Sequence, residues 1–170
     1  MRKTFSIPIM LCLSACATDS TGSSAAPSGD LAGPVTYKVS SWGRLLTQWQ
    51  VNPDGSGEIW KGKGLGKGHG AVRKYRLRMS DEAMQAFVAK AEPLRRATEN
   101  GIDCKRQITD MPYGSITWDY PEKQQSYAFD AGCRSAQADA AMEQLRAVSD
   151  VIEKMATIEA EPYMTDPGPS

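Results

Sequence analysis

Between Val72 and Leu94 the apolar residues change their period, and that change constrains the fold more than any other feature of the chain. Tyr75, Leu77 and Met79 alternate with Lys74, Arg76 and Arg78, the period of two of a strand with one buried and one basic face. Ser80 then offers an N-cap, Asp81 and Glu82 put negative charge on the first turn, and Met84, Phe87, Val88, Ala91 and Leu94 recur at helical spacing. A strand therefore feeds directly into an amphipathic helix. Pro93 removes the donor for the carbonyl of Ala89, which predicts a kink or break near Lys90 to Glu92, and Asn100-Gly101 predicts a left-handed close.

The same two periods organise the rest. Val35, Tyr37 and Val39 alternate, as do Leu45, Thr47, Trp49 and Val51, with Ser41-Trp42-Gly43 between them. This predicts either one bent strand, bulged at Gly43, or two short strands. Asn52-Pro53-Asp54-Gly55 carries strong turn chemistry and predicts a hairpin returning through Glu58 to Lys61. Ile116, Trp118 and Tyr120 face Tyr127 and Phe129 across Pro121 to Gln125, a second hairpin. From Ser135 onward, Ala138, Met142, Leu145, Val148, Ile152 and Met155 mark one side of a long helix. Strands, helix, strands, helix is not the alternation of a parallel βαβ fold. It predicts an α+β domain, an antiparallel sheet of about five to six strands packed on one face by two helices.

The start of the chain fixes where that domain is expected to reside. Arg2 and Lys3 precede an apolar run from Phe5 to Leu13, too short for a membrane span of ~20 residues. Leu13-Ser14-Ala15-Cys16 follows, and it resembles the lipobox of bacterial lipoprotein precursors. The resemblance implies a signal peptide at 1–15, lipidation of Cys16, and anchorage in the cell envelope; Ala17 after the cysteine implies the outer membrane, facing the periplasm. Residues 16–34 then read as the lipidated cysteine and a tether rich in Ser, Thr, Gly, Ala and Pro, residues 35–160 as the α+β domain, and residues 161–170, with Pro162, Pro167 and Pro169, as a disordered tail.

Cysteine usage agrees with an oxidising compartment. With Cys12 in the leader and Cys16 at the anchor, Cys104 and Cys133 remain as one pair and are expected to form a disulfide. Neither belongs to a CxxC spacing and His69 is the only histidine, so no metal site and no cofactor is expected. That histidine lies between Gly68 and Gly70, a poor setting for a catalytic base. Asp119 and Asp130, on outward positions of the second hairpin, are the carboxylates an envelope enzyme would use.

Charge supplies the remaining candidate. The chain balances 20 Lys+Arg against 20 Asp+Glu, which argues against nucleic acid as a partner. The balance conceals segregation: Lys61, Lys63, Lys67, Arg73, Lys74, Arg76 and Arg78 occur without an acid among them, while residues 139–166 hold seven acids and two bases. The first three lie in or beside GKGLGKGHG, whose glycines suit a loop but which leads into a strand and not into the helix that a phosphate-binding motif requires. The sequence thus predicts one positive surface made by this loop and the outward face of the following strand. Its expected role is non-enzymatic, binding an anionic envelope component or an envelope protein. The alternatives are the carboxylate enzyme and a structural subunit of an envelope assembly.

Overall fold

The computed structural model describes residues 31–63 and 71–166. The chain forms an α+β fold. In order it comprises β1 (Val35–Ser41), β2 (Arg44–Val51), β3 (Ser56–Gly62), β4 (Val72–Arg78), α1 (Asp81–Ala97), β5 (Arg106–Gln107), β6 (Tyr113–Asp119), β7 (Gln124–Asp130), β8 (Cys133–Arg134), α2 (Ala136–Met155), β9 (Thr157–Ile158) and β10 (Met164–Asp166). Eight strands make one antiparallel sheet in the order β10-β4-β3-β2-β1-β6-β7, with β9 paired to β4; β5 and β8 pair separately. The strand number exceeds the expected five to six because short pieces with no period of their own, such as β9 and β10, pair to the exposed side of β4.

Two turns set the register of the first half. Gly55, at φ +75°, closes the β2–β3 turn: Asn52 N–H donates to Ser56 O at 2.8 Å, and Asp54 accepts from Ser56 N–H at 2.9 Å. A Cβ at Gly55 would stand 2.8 Å from the carbonyl oxygen of Met79, so the position requires glycine for room as well as for φ. The second turn decides between the two readings of Ser41-Trp42-Gly43, one bulged strand or two short ones, in favour of two. Ser41 pairs with Arg44, and Trp42 and Gly43 have φ of 53° and 73°, the pattern of a two-residue hairpin turn. β1 and β2 are therefore two strands folded back on each other, and the actual irregularity lies at Val39/Ser40.

Both helices start as their sequences dictate. The hydroxyls of Ser80 and Ser135 accept from the N–H groups of Ala83 and Ala138. Helix α1 runs through Pro93 to Ala97 without the expected break. Pro93 and Ala89 are both exposed, so water can satisfy the carbonyl that loses its donor, while Ala91 and Leu94 stay buried on the other side. The close also differs: Thr98 caps the helix, its hydroxyl donating to Leu94 O at 2.9 Å, and Gly101, at φ +73°, comes three residues later.

The inward sheet residues Val35, Trp49, Val51, Ile59, Leu77, Ile116, Trp118, Tyr127 and Phe129 meet Phe87, Val88, Leu94, Leu145, Val148 and Ile152 in one core. Leu31 joins it, and Pro34 O accepts from Asp119 N–H at 2.9 Å, so the last residues assigned to the tether already belong to the fold. Cys104 and Cys133 are joined by a disulfide with Cα atoms 5.3 Å apart.

Candidate functional site

Alternation gives the sheet one face toward the helices and one that neither helix covers. On β3 the buried Ile59 points inward, which sends Glu58 and Trp60 outward; on β4 the buried Leu77 does the same for Lys74, Arg76 and Arg78. Register places Trp60 opposite Lys74 and Glu58 opposite Arg76. Gln48 and Gln50 on β2, then Thr36 and Lys38 on β1, continue the same face by their pairing. The open face is thus polar in the middle and charged and aromatic at the β3–β4 side.

That side is an interleaved ladder. Lys74 Nζ lies 2.8 Å from Glu58 Oε2 and over the rings of Trp60 and Tyr163, at 4.8 and 5.3 Å. The Arg76 guanidinium lies 4.4 Å from the Tyr163 ring centre and 3.4 Å from Glu159 Oε1. Tyr163 donates its hydroxyl hydrogen to Glu58, and its own N–H donates to Lys74 O at 3.0 Å. Burial pushes the Glu58 carboxyl up, but the hydrogen bonds from Lys74 and Tyr163 and the cations beside it outweigh that and hold it below its ordinary value. The hydrogen bond to Glu58 in turn holds Lys74 above its own. Lys74, held by Glu58, and Arg76, paired with Glu159, are each neutralised within the face, and its net positive charge comes from Arg78 with Lys38 further along.

The seven predicted cations do not form one surface. Lys74, Arg76 and Arg78 share the open face as alternation required. Lys61 and Arg73 are register partners on the opposite side, in line with Ile59 and Tyr75, and Lys63 follows the end of β3. Lys67, Cys16 and His69 lie outside the described residues. The error in the expectation is one of parity: Arg73 is one residue from Lys74, and a strand sends neighbours to opposite faces. Sequence reasoning also missed Glu58, Trp60, Glu159 and Tyr163. The first two were within reach, because the β2–β3 turn fixes their side, whereas Tyr163 sits in the supposed tail and is seated only by the pairing of that segment with β4.

The expected carboxylate pair is separated. Asp119 lies opposite Gln124 and Asp130 opposite Tyr113, at the two ends of the β6–β7 ladder. They are six residue steps apart along the ladder, ~20 Å at ~3.4 Å each, well beyond the ~5–9.5 Å of glycosidase carboxylates. Among the described residues no group of three or more His, Cys, Asp or Glu is placed to hold a metal ion.

A cavity of about 300 Å³ opens between α1 and the β6–β7 turn, lined by Ala32, Arg95, Tyr120, Pro121, Lys123 and Gln125 among others. Its polar groups largely serve one another. Arg95 Nε donates to Glu92 Oε2 at 2.9 Å and its Nη1 to Gln125 Oε1 at 3.2 Å, Gln125 Nε2 donates to Arg95 O at 2.6 Å, and the Tyr120 hydroxyl donates to Glu92 Oε1 at 2.6 Å. Burial first, and Glu92 second, push the Tyr120 phenol up, so it remains a donor at neutral pH. This network ties the hairpin to the helix. No protein-family model, no curated protein and no solved structure matches the chain.

Proposed function

We propose that this chain is a lipid-anchored lipoprotein of the bacterial cell envelope, held through Cys16 in the outer membrane and facing the periplasm. It acts without catalysis, as a module whose open sheet face binds an anionic envelope component. The observation that supports this reading best is the β3–β4 face that neither helix covers, where Lys74 and Arg76 lie against Trp60 and Tyr163 and Arg78 projects from the same face, a combination of aromatic area and cation suited to recognition. The sequence resemblance at Leu13 to Cys16 supports the anchor.

Two measurements test the two halves. Intact mass of the protein recovered from bacterial membranes is expected to correspond to a chain beginning at acylated Cys16; an unmodified N-terminus elsewhere discards the anchor. Arg76→Gln with Arg78→Gln is expected to leave the thermal midpoint unchanged, since both side chains are exposed, and to weaken binding to isolated cell walls roughly fivefold at 0.1 M salt. The wild-type advantage should fade at 1 M salt, where the Debye length contracts from ~10 Å to ~3 Å. Equal binding of the two proteins at low salt rejects the open face as the site. That result would favour a second reading, a structural subunit docking along the sheet edge at β7, whose outward Gln124, Ser126 and Ala128 carry none of the charges that usually guard an edge.

A further inference from the structure

The β1–β2 turn presents an indole that folding does not account for. Trp42 is 69% exposed and holds φ of 53°, a left-handed conformation that bulky L-residues rarely adopt and that a two-residue hairpin ordinarily gives to asparagine or glycine. It is one of four tryptophans; Trp49 and Trp118 are buried in the core and Trp60 is half-buried on the open face. The turn is also braced, because Gly43 N–H donates to the hydroxyl of Tyr113 at 3.2 Å. Tyr113 is itself 45% exposed, so two aromatic rings stand in solvent at one end of the sheet.

Topology gathers cations at that same end. It is where β1 and β3 finish and where β2, β4 and β6 begin, with strands ~4.8 Å apart. Lys61 lies at the end of β3 and Lys63 just beyond it, Arg73 is the second residue of β4 and Arg44 opens β2, all of them exposed. These include the cations that parity removed from the open face. Among the described residues, the acids of this end include Asp130, opposite Tyr113, Asp166, opposite Val72, and Asp110, in the segment that leads into β6. Asp130 is engaged, accepting from Gly132 N–H at 2.6 Å and from Gln107 Nε2 at 2.8 Å.

We infer that this end of the sheet docks on the surface of an anionic phospholipid bilayer, with the Trp42 indole at headgroup level and Lys61, Lys63 and Arg73 against the lipid phosphates. An indole partitions to the membrane interface because one edge is apolar and the other carries a donor, and each basic residue near an anionic leaflet adds attraction. A stereospecific ligand such as a sugar would need fixed polar partners beside the ring. At this end the Tyr113 hydroxyl already serves Gly43, and the Asp130 carboxylate serves Gly132 and Gln107. An exposed ring and long flexible cations suit a fluid charged surface. This end is distinct from the Arg76 and Arg78 side chains, so either reading survives the failure of the other.

The test uses the full chain and vesicles of phosphatidylglycerol and phosphatidylcholine with brominated acyl chains, read by co-sedimentation and by tryptophan emission at 0.1 M salt. Sedimenting wild-type protein should show quenched emission, and Trp42→Asn should abolish the quenching. Lys61→Gln with Lys63→Gln and Arg73→Gln should reduce it at least threefold. Because asparagine tolerates the left-handed turn, Trp42→Asn should also raise the thermal midpoint, by about 2–4 °C. Protein that stays in solution, or sediments with unquenched emission, overturns the inference. So does equal quenching by vesicles of phosphatidylcholine alone, a Trp42-dependent emission shift with soluble cell-wall glycan in place of lipid, or a lower midpoint for Trp42→Asn.

Discussion

Replacing Phe87 by alanine is expected to destabilise the domain by about 3–5 kcal/mol, the range for truncating a fully buried phenylalanine. Phe87 is completely buried and meets Trp49 edge-on, with ring centres 5.7 Å apart and planes at 78°. Trp49 stacks on Tyr37 at 5.1 Å, Tyr37 stacks on Phe129 at 5.7 Å, and Phe129 lies 6.3 Å from Tyr127. The row spans β2, β1 and β7, crossing β6 where Gly114 stands opposite Phe129; a Cβ there would come within 2.8 Å of the Phe129 ring. Phe87 is the side chain through which α1 closes this row. Its removal leaves a cavity that aromatic neighbours fixed on a sheet cannot collapse into, which places the cost toward the upper part of the range. Since small domains have only ~5–15 kcal/mol in hand, urea denaturation should show a large fall in midpoint with an unchanged slope. A loss below ~1 kcal/mol would mean that α1 does not seat on the sheet through this residue.

How much of this was legible in the sequence depended on whether a residue's local pattern or its distant partner decided its place. The change of period at Ser80, the stripe of α2, the β6–β7 hairpin and the Cys104–Cys133 pair are local or compositional signals, and the structure contains all four, save that Met155, counted in the stripe, is exposed at the last turn of α2. The α+β layering followed from their order. Trp42-Gly43 left one bent strand and two short ones both open because a tryptophan is a poor sign of positive φ, and the brace from Tyr113 comes from 70 residues away. Pro93 does not break the helix because the rule against proline in helices assumes a carbonyl with no alternative partner, and here Ala89 and Pro93 are exposed, so water can reach that carbonyl. The tail segment Met164–Asp166 has no alternation to announce a strand, and its pairing exists because β4 offers an edge. The candidate surface was half legible for the same reason. Alternation correctly grouped Lys74, Arg76 and Arg78, but which acid neutralises Lys74 is decided by the β3–β4 register and by Tyr163.

Removing the disulfide is expected to cost about 3.5 kcal/mol at 25 °C, and the effect should concentrate between α1 and β6. The cysteines are 29 residues apart in sequence, and closing a loop of that length restricts the unfolded chain by about this amount in the chain-entropy account. The folded side of the balance points the same way. Residues 103–110 are all exposed and supply nothing to the core. Besides the bridge, the contacts that hold them include the two-residue ladder of β5 and β8, Ile108 N–H donating to Gly132 O at 2.9 Å, Ala131 N–H to Pro112 O at 2.8 Å, and Gln107 Nε2 to Asp130 Oδ2 at 2.8 Å. Such a segment has little burial to offset its ordering entropy, so the covalent link carries most of its placement. Cys104→Ser with Cys133→Ser should therefore lower the denaturation midpoint and speed hydrogen exchange across residues 102–112. Exchange in the central strands β1 and β2 should keep pace with global unfolding alone. Wild-type protein treated with a thiol reductant should behave as the double variant does. An unchanged midpoint in both would mean that packing of Ile102 and Cys133 at the core margin already holds this segment without the bridge.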